Sequence, residues 1–299
     1  IYLKKARQEN CAVKYVLETH RNEDYLAGSR ALKELTGAKI WHADKMLDYE
    51  YGHPMEEGKE IKIGQLELEG LLTPGHTPGS FSYLLYGYKG NPWMVFTGDV
   101  LFAGDVGRVD FLGEDKLEEM AGALYDSIYE KILPLGDEVI LCPAHGAGSA
   151  CGSSITDREW TTIGIEKKLN PRLQHGNKGE FIEEVGETLE YPPYMSKMEE
   201  VNLKGAKPVT DYQQPPALSV DEFAEEMDKG AVVVDTRAET SFAVAHIPGS
   251  LSIWKDRVPA YVGWFVPVDS PTLLVSDDGY PREEVDHLFR IGYENIRAI

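Results

Sequence analysis

The stretch V-K-Y-V-L-E-T-H-R-N-E-D-Y-L-A-G, Val13 to Gly28, decides how the first part of the chain is read. Val13 to Leu17 is a short apolar run of the kind a buried strand makes, and it stops at polar Glu18 and Thr19. Groups able to hold a metal follow at once: His20, Asn22, Glu23, Asp24 and Tyr25. The end of a buried strand is rigid, so side chains placed there keep fixed mutual distances. A single strand-then-histidine junction is commonplace, and its meaning depends on whether the chain repeats it.

The chain repeats it three times. Ser29 to Thr36 reads as a helix ended by Gly37, and Ile61, Ile63, Leu66, Leu68 and Leu71 are spaced for two strands turning at Gly64–Gln65. These deliver the chain to T-P-G-H-T-P-G-S, Thr73 to Ser80, whose prolines and glycines forbid helix or central strand and set His76 on a stiff loop. Phe81 to Tyr86 is a further strand. Trp93 to Phe96 is another, and it ends in T-G-D at Asp99. The glycine-rich G-D-V-G-R-V-D-F, Gly104 to Phe111, comes next, and Leu117 to Leu133 has helical spacing. Val139 to Leu141 is again a strand, ending in P-A-H-G at His145. Four junctions thus end in His20, His76, Asp99 and His145, which points to one shared metal site.

Composition sets outer bounds. The 299 residues, 42% hydrophobic, suffice for two ordinary domains, and no apolar run approaches the length of a membrane span. A formal charge of −20 opposes nucleic acid as a partner, because phosphate backbones call for clustered Lys and Arg. Cys11, Cys142 and Cys151 are too sparse for a disulfide framework and suit a reducing, cytoplasmic setting. Cys142 and Cys151 flank His145 and read as small buried packing residues, with proximity to the chemistry as the alternative. His42, His53 and His175 belong to no motif and read as structural or surface histidines.

The ordered set T-H-x-x-x-D, T-P-G-H-T-x-G, T-G-D and P-A-H-G resembles the metallo-β-lactamase superfamily. Within it, G-D-V-G-R-V-D-F and the later N-P-R-L resemble the persulfide dioxygenase (sulfur dioxygenase) branch. The resemblance implies an α/β fold, an αββα sandwich with its metal in the groove between sheet edges, over residues 1–193. Such domains normally begin with further strands, so the chain is expected to start inside the fold.

The departures from the superfamily are informative. Its first motif is H-x-H-x-D-H, and here the corresponding stretch reads H-R-N-E-D-Y, with Asn22 and Tyr25 in place of two histidines. A carboxamide oxygen is a poor ligand for a transition metal, and a phenol of reference pKa about 10 must first lose its proton. A two-zinc centre would lose a ligand from each half. His20, His76 and Asp99 remain: two imidazoles and a carboxylate, the composition of non-haem Fe(II) oxygenase sites. In the persulfide dioxygenases these same positions carry the single iron. The resemblance therefore implies one Fe(II) per chain, with O₂ and a small-molecule thiol persulfide as substrates, although zinc can occupy the same triad in a purified sample. Asp24 and His145 are left as outer-sphere groups or remnants of a second metal site. A thioester hydrolase of the glyoxalase II kind is the alternative activity.

In the dioxygenases the arginine matching Arg108 contacts glutathione, and an Arg fork suits a carboxylate. The competing reading is an internal ion pair with Asp105 or Asp110. Lys167, in E-K-K-L-N-P-R-L, stands where glutathione-using relatives tend to have Arg, so the thiol carrier need not be glutathione. Relatives are often dimers, which implies a homodimer here.

Gly176 to Val209 reads as a helix and then an extended tether, with residues 194–216 as linker and its proline-rich end at Lys207 to Pro216. Beyond it, L-S-V-D-E-F opens a helix with a capping box from Ser219 to Glu222. V-V-V-D-T-R followed by F-A-V-A-H-I-P-G-S resembles a rhodanese domain over residues 217–299. A working rhodanese has a cysteine after its central strand, and here Ser276 holds that position with Asp277–Asp278 beside it. A serine hydroxyl cannot carry a persulfide, so this domain is expected to be catalytically silent. The chain stops at R-A-I, and the resemblance leads us to expect that a full domain of that family would extend further.

Overall fold

A computed structural model describes residues 2–208, 212–277 and 279–299. The chain forms two compact units, one running to Arg21 and resuming over Leu32–Glu190, the other made of Asn22–Ala31 and Tyr191–Ile299.

The chain opens with α1 (Tyr2–Gln8) and β1 (Tyr15–Leu17), then α2 (Ser29–Thr36), β2 (Lys39–His42) and β3 (His53–Pro54). Among the described residues these strands form a parallel sheet in the order β1-β2-β3, with Leu17 opposite Trp41. Parallel neighbours need a crossover, and α2 lies on the one between β1 and β2. It ends where Gly37 takes a φ of 72°, a left-handed conformation that glycine adopts without strain.

A second sheet contains β4 (Glu60–Ile63), β5 (Leu66–Leu72), β6 (Phe81–Tyr86) and β7 (Pro92–Gly98) in antiparallel succession. Next come α3 (Leu117–Asp126), β8 (Ile140–Pro143), β9 (Thr161–Thr162), α4 (Ile163–Leu169) and α5 (Lys178–Val185). β8 joins β7 in parallel and β9 closes the edge. The helical spacing from Leu117 to Leu133 is realised as α3 followed by a wider π-helical turn, Ser127–Ile132.

β6 explains the layering. It is buried at Phe81, Ser82, Tyr83 and Leu84, so both faces of its sheet are covered. Leu84 joins Val95, Leu141, Met120, Leu124, Ile128 and Phe181 in a core between sheet and helices. Phe81 and Tyr83 join Ile61, Leu68 and Met55, with Tyr15, Leu17 and Trp41 of the three-stranded sheet packed against them. The unit is therefore an α/β sandwich with sheet packed on sheet and helices outside, as expected. Every metal-ligand candidate of this unit lies just beyond a strand: His20 after β1, His76 after β5, Asp99 after β7 and His145 after β8.

The second unit begins with α6 (Met195–Lys204) and continues through α7 (Val220–Asp228), β10 (Val232–Asp235), α8 (Glu239–Val244) and β11 (Leu251–Ser252). α9 (Val258–Phe265), β12 (Thr272–Val275), α10 (Arg282–Arg290) and β13 (Ile296–Ala298) complete it. Its strands are parallel in the order β11-β10-β12-β13. The capping box at Ser219 and Glu222 forms as read from the sequence. Val209, Thr210 and Asp211 of the expected linker, and Asp278 of the acidic pair beside Ser276, lie outside the described residues.

The division differs from the one read in the sequence. The break falls after Glu190 rather than Pro193, and residues 194–216 are not an extended tether over their whole length. α6 buries Met195 and Met198, which gives it an apolar face to pack. Its Asn202, 1% exposed, also captures the loop after Arg21. The carboxamide nitrogen donates to the carbonyls of Asn22 (2.8 Å) and Tyr25 (2.7 Å), and its oxygen accepts from the Ala27 amide (2.8 Å). Tyr194 donates its hydroxyl to the carbonyl of Asp24.

Replacing Asn202 by Ala takes the partner from three backbone groups, and the two buried ones, at Asn22 and Ala27, each cost about 1–3 kcal/mol when left without one. The expected result is loss of hydrogen-exchange protection at the Ala27 amide and destabilisation of the second unit by about 3 kcal/mol in denaturant melts. Protection unchanged from wild type contradicts this role.

Candidate metal centre

Asp99 is 1% exposed and sits where β7 ends in Thr97-Gly98-Asp99. Gly98 has a φ of 55°, and a Cβ there would lie 2.6 Å from Cβ of Thr19, so only glycine lets the Thr19–His20 turn approach this closely. Three imidazoles converge on one carboxylate oxygen. The Nε2 atoms of His145, His76 and His20 lie 3.2, 3.5 and 3.8 Å from Asp99 Oδ2. The His20 and His76 rings meet edge to face with centroids 4.9 Å apart.

Burial alone would raise the Asp99 pKa, and the facing imidazoles of His145, His20 and His76 outweigh it, holding the carboxyl far below the usual range. Neither carboxylate oxygen accepts a hydrogen bond among the described residues. A buried ionised carboxylate is costly unless paired or bound to a metal, so donors of these types at these distances fit a metal ion. The outer nitrogens are already held. His76 Nδ1 donates to the Arg108 carbonyl at 2.9 Å, which directs Nε2 towards Asp99, and His20 Nδ1 lies 3.0 Å from the Thr19 hydroxyl.

Gly107 is a site residue that the reading of the motif did not single out. A Cβ on it would lie 1.8 Å from the Asp99 carbonyl oxygen and 3.3 Å from His76 Nδ1. The glycine-rich loop therefore rests directly on two of the candidate ligands. Cys151, read as a buried packing residue with proximity to the chemistry as the alternative, meets both descriptions. Its thiol, buried with Phe102 and Ile155, also lies within 4.8 Å of the donor atoms of His76 and Asp99. The only signal in the sequence was its closeness to His145.

The remaining candidates divide. His145, read as an outer group or second-metal remnant, makes the shortest approach to Asp99. Asp24 is on the segment that belongs with the second unit, where its carbonyl accepts from Tyr194. Arg108, expected to grip a substrate carboxylate, takes the competing internal role. Its guanidinium pairs with both Asp110 oxygens at 2.6 Å and donates to the carbonyls of Ala150, Leu189 and Glu190, with its side chain 1% exposed. All its N–H groups thereby face protein acceptors. Lys167 is likewise turned away: α4 points Ile163 and Glu166 inward, and Lys167 lies exposed and paired with Asp137 at 2.6 Å. In the same segment Arg172 of N-P-R-L is paired with Asp105 and Glu184, while Asn170 donates to the Asp105 carbonyl. Ser276 sits just beyond β12, as expected from its motif. His42 stacks on Tyr49, His53 lies on the exposed β3 and His175 pairs with Glu184, all outside the cluster.

Comparison with known proteins gives this geometry a family. Residues 1–145 match the metallo-beta-lactamase superfamily, and residues 219–299 match the rhodanese-like domain. The chain is 33% identical over 182 residues to hydroxyacylglutathione hydrolase GloC of Haemophilus influenzae, covering 54% of this chain and 76% of that protein. It is 31% identical over 159 residues to the mitochondrial persulfide dioxygenase ETHE1 of Homo sapiens, covering 53% of this chain and 56% of that protein. The match thus spans little more than half the length of that dioxygenase. A crystal structure of a metallo-beta-lactamase from Staphylococcus aureus subsp. aureus COL superposes with a TM-score of 0.85 at 28% identity, covering 99% of this chain and 86% of that one. The chain belongs to the metallo-beta-lactamase superfamily and carries a C-terminal rhodanese-like domain. No described helix is long and apolar enough to cross a membrane.

Burial would raise the Asp110 pKa, but its bonds from Arg108 and from the Leu189 amide outweigh this and hold the carboxyl below the usual carboxylate range. A carboxyl depressed on folding stabilises above its unfolded pKa and loses that contribution as pH falls through the folded value. The wild-type melting temperature should therefore drop more steeply below about pH 5 than that of Asp110→Asn, which starts lower at neutral pH. Parallel acid limbs in thermal melts contradict this.

Proposed function

We propose that the first unit is a mononuclear non-haem iron persulfide dioxygenase acting on the persulfide of a small thiol. The observation that carries this reading is the donor set that survives. His20, His76 and Asp99 converge, whereas Asn22 and Tyr25 stand where a two-metal relative has histidines. Two imidazoles and a carboxylate would hold a non-haem iron, which would supply O₂ chemistry there. The net change is R–S–S⁻ + O₂ + H₂O → R–SH + SO₃²⁻ + H⁺, with the terminal sulfur oxidised and O₂ reduced. When bound, iron supplies the redox chemistry of O₂ that side chains lack.

The chain's own residues position and shield. The Arg108 carbonyl holds the proton on His76 Nδ1 and so keeps Nε2 free of it. Phe111 meets the His76 ring edge to face at 5.2 Å, and His76 itself is buried. Arg108 is committed internally and Lys167 is paired at the surface, so neither favours glutathione over another small thiol. The similarity to a protein named persulfide dioxygenase supports the reading. Three cysteines without a disulfide accord with a cytoplasmic setting. The rhodanese-like unit, with Ser276 at the cysteine position, would take no part in sulfur transfer.

A second reading, zinc-dependent hydrolysis of a thioester, is favoured by two observations: His145 approaches Asp99 as closely as any histidine, and the similarity to hydroxyacylglutathione hydrolase is of the same order. It requires a second metal where Asn22 and Tyr25 make poor ligands.

The test is oxygen uptake by iron-loaded protein on adding a small-thiol persulfide. Uptake with sulfite release is expected. Because losing an outer-sphere partner alone costs 10–100-fold, His76→Ala should lower the rate by more than about 100-fold. Absence of uptake across several persulfides despite bound iron, together with thioester hydrolysis by zinc-loaded protein, would overturn the proposal.

A further inference from the structure

His20 and His76 come from different sheets: His20 follows β1 of the three-stranded sheet, and His76 follows β5 of the larger one. The packing between these sheets is largely apolar, with hydrogen bonds from the Phe81 amide to Thr19 and from the Tyr83 hydroxyl to Glu18, and neither reaches the loop that carries His76. We infer that Asp44 is the positioning residue that sets this separation, acting as a clasp between the two ligand-bearing loops. This inference rests on the metal site proposed above.

Asp44 lies two residues beyond β2 and is 3% exposed. β1 and β2 run in parallel register, so their ends bring Arg21, next to His20, alongside Asp44. The Arg21 amide donates to Asp44 Oδ2 at 3.0 Å. The other carboxylate oxygen serves the second loop, where Oδ1 accepts from the Thr77 hydroxyl at 2.8 Å and from the Gly79 amide at 2.9 Å. The Asp44 amide in turn donates to the Gly79 carbonyl at 3.0 Å. One carboxylate thus takes a donor from beside His20 and two from just after His76.

The fit is close in the backbone as well. A Cβ on Gly79 would lie 2.4 Å from Asp44 Cα, so the T-P-G-H-T-P-G loop touches Asp44 main chain to main chain. Asp44 itself has a φ of 51°, a left-handed conformation that Asp and Asn tolerate better than other side chains. The position therefore needs two acceptor oxygens aimed in different directions on a residue that accepts this backbone, and aspartate meets both needs. The Thr77 hydroxyl also lies 2.7 Å from that of Ser80, and the Phe81 amide donates to the Thr19 carbonyl at 2.6 Å, so the clasp stands in a continuous hydrogen-bonded seam.

The test measures metal affinity by chelator competition, using Co(II) as probe, alongside thermal melts of the metal-free protein. Asp44→Asn keeps an acceptor for Thr77 and Gly79 and loses the one for Arg21. Asp44→Ala loses all three, and Asp44→Gly also loses them while removing any backbone strain. The expected order of affinity is wild type, then Asn, then Ala and Gly together, with the last two weakened about tenfold or more. The visible Co(II) spectrum should shift in the same order at temperatures well below each variant's melt. Should Asp44→Ala not fold, Thr77→Val, which removes one hydroxyl, is expected to weaken affinity by a smaller factor. Ala and Gly variants, or Thr77→Val in their place, that hold Co(II) as tightly as wild type with the same spectrum overturn the inference. Because the readout is metal affinity, a failure of the dioxygenase reading shows separately as absent oxygen uptake by wild-type protein that binds metal normally.

Discussion

The sandwich of the first unit is arranged around a buried negative charge. Asp99 lies at the end of β7 with almost no exposure, and three imidazoles from three other strand ends face it. A carboxylate in that position is tolerable only when its charge is balanced. The balance brings together segments far apart in sequence, each presented by a strand whose pairing is fixed by the cores on either side of the larger sheet. The glycines of the surrounding motifs follow from the same need. Gly98 lets Thr19 in, Gly107 lets the glycine-rich loop rest on the Asp99 carbonyl, and Gly79 lets the His76 loop meet Asp44.

Much of this was legible in the sequence because each candidate ligand stands at a change of pattern. An apolar run stops, glycine or proline follows, and a histidine or aspartate comes next. That combination is local, so T-P-G-H-T-P-G, T-G-D and P-A-H-G could be placed on strand ends before any coordinates. The strand limits follow suit: Phe81–Tyr86 is as read, and Ser29–Thr36 is helical as read. What was not legible is pairing over long separations. Nothing near Asn22 says that Asn202 will hold its carbonyl, so the grouping of the loop after His20 with the second unit could not be read from the sequence. Nothing in G-R-V-D-F says whether an Arg fork turns to substrate or to Asp110, since both are carboxylates at suitable range. Asp44 carries no motif at all.

The internal role of Arg108 has consequences for how the site is built. Its carbonyl holds His76 while its guanidinium ties the loop at Ala150 to the segment at Leu189 and Glu190. The E-K-K-L-N-P-R-L segment adds support through Glu166, which accepts from the Gly104 amide, and Asn170, which accepts at the start of the next turn and donates to Asp105. Motifs that resemble a substrate-binding signature here act first as scaffolding for His76, a candidate ligand.

The central claim is a single metal ion held by two histidines and one aspartate. Its most direct test is metal content and position in crystals of protein reconstituted anaerobically with excess Fe(II) and then desalted. The account predicts one iron per chain by elemental analysis, with one anomalous-scattering peak within bonding distance of His20, His76 and Asp99. Two metal ions per chain, the second bound through His145, would contradict it.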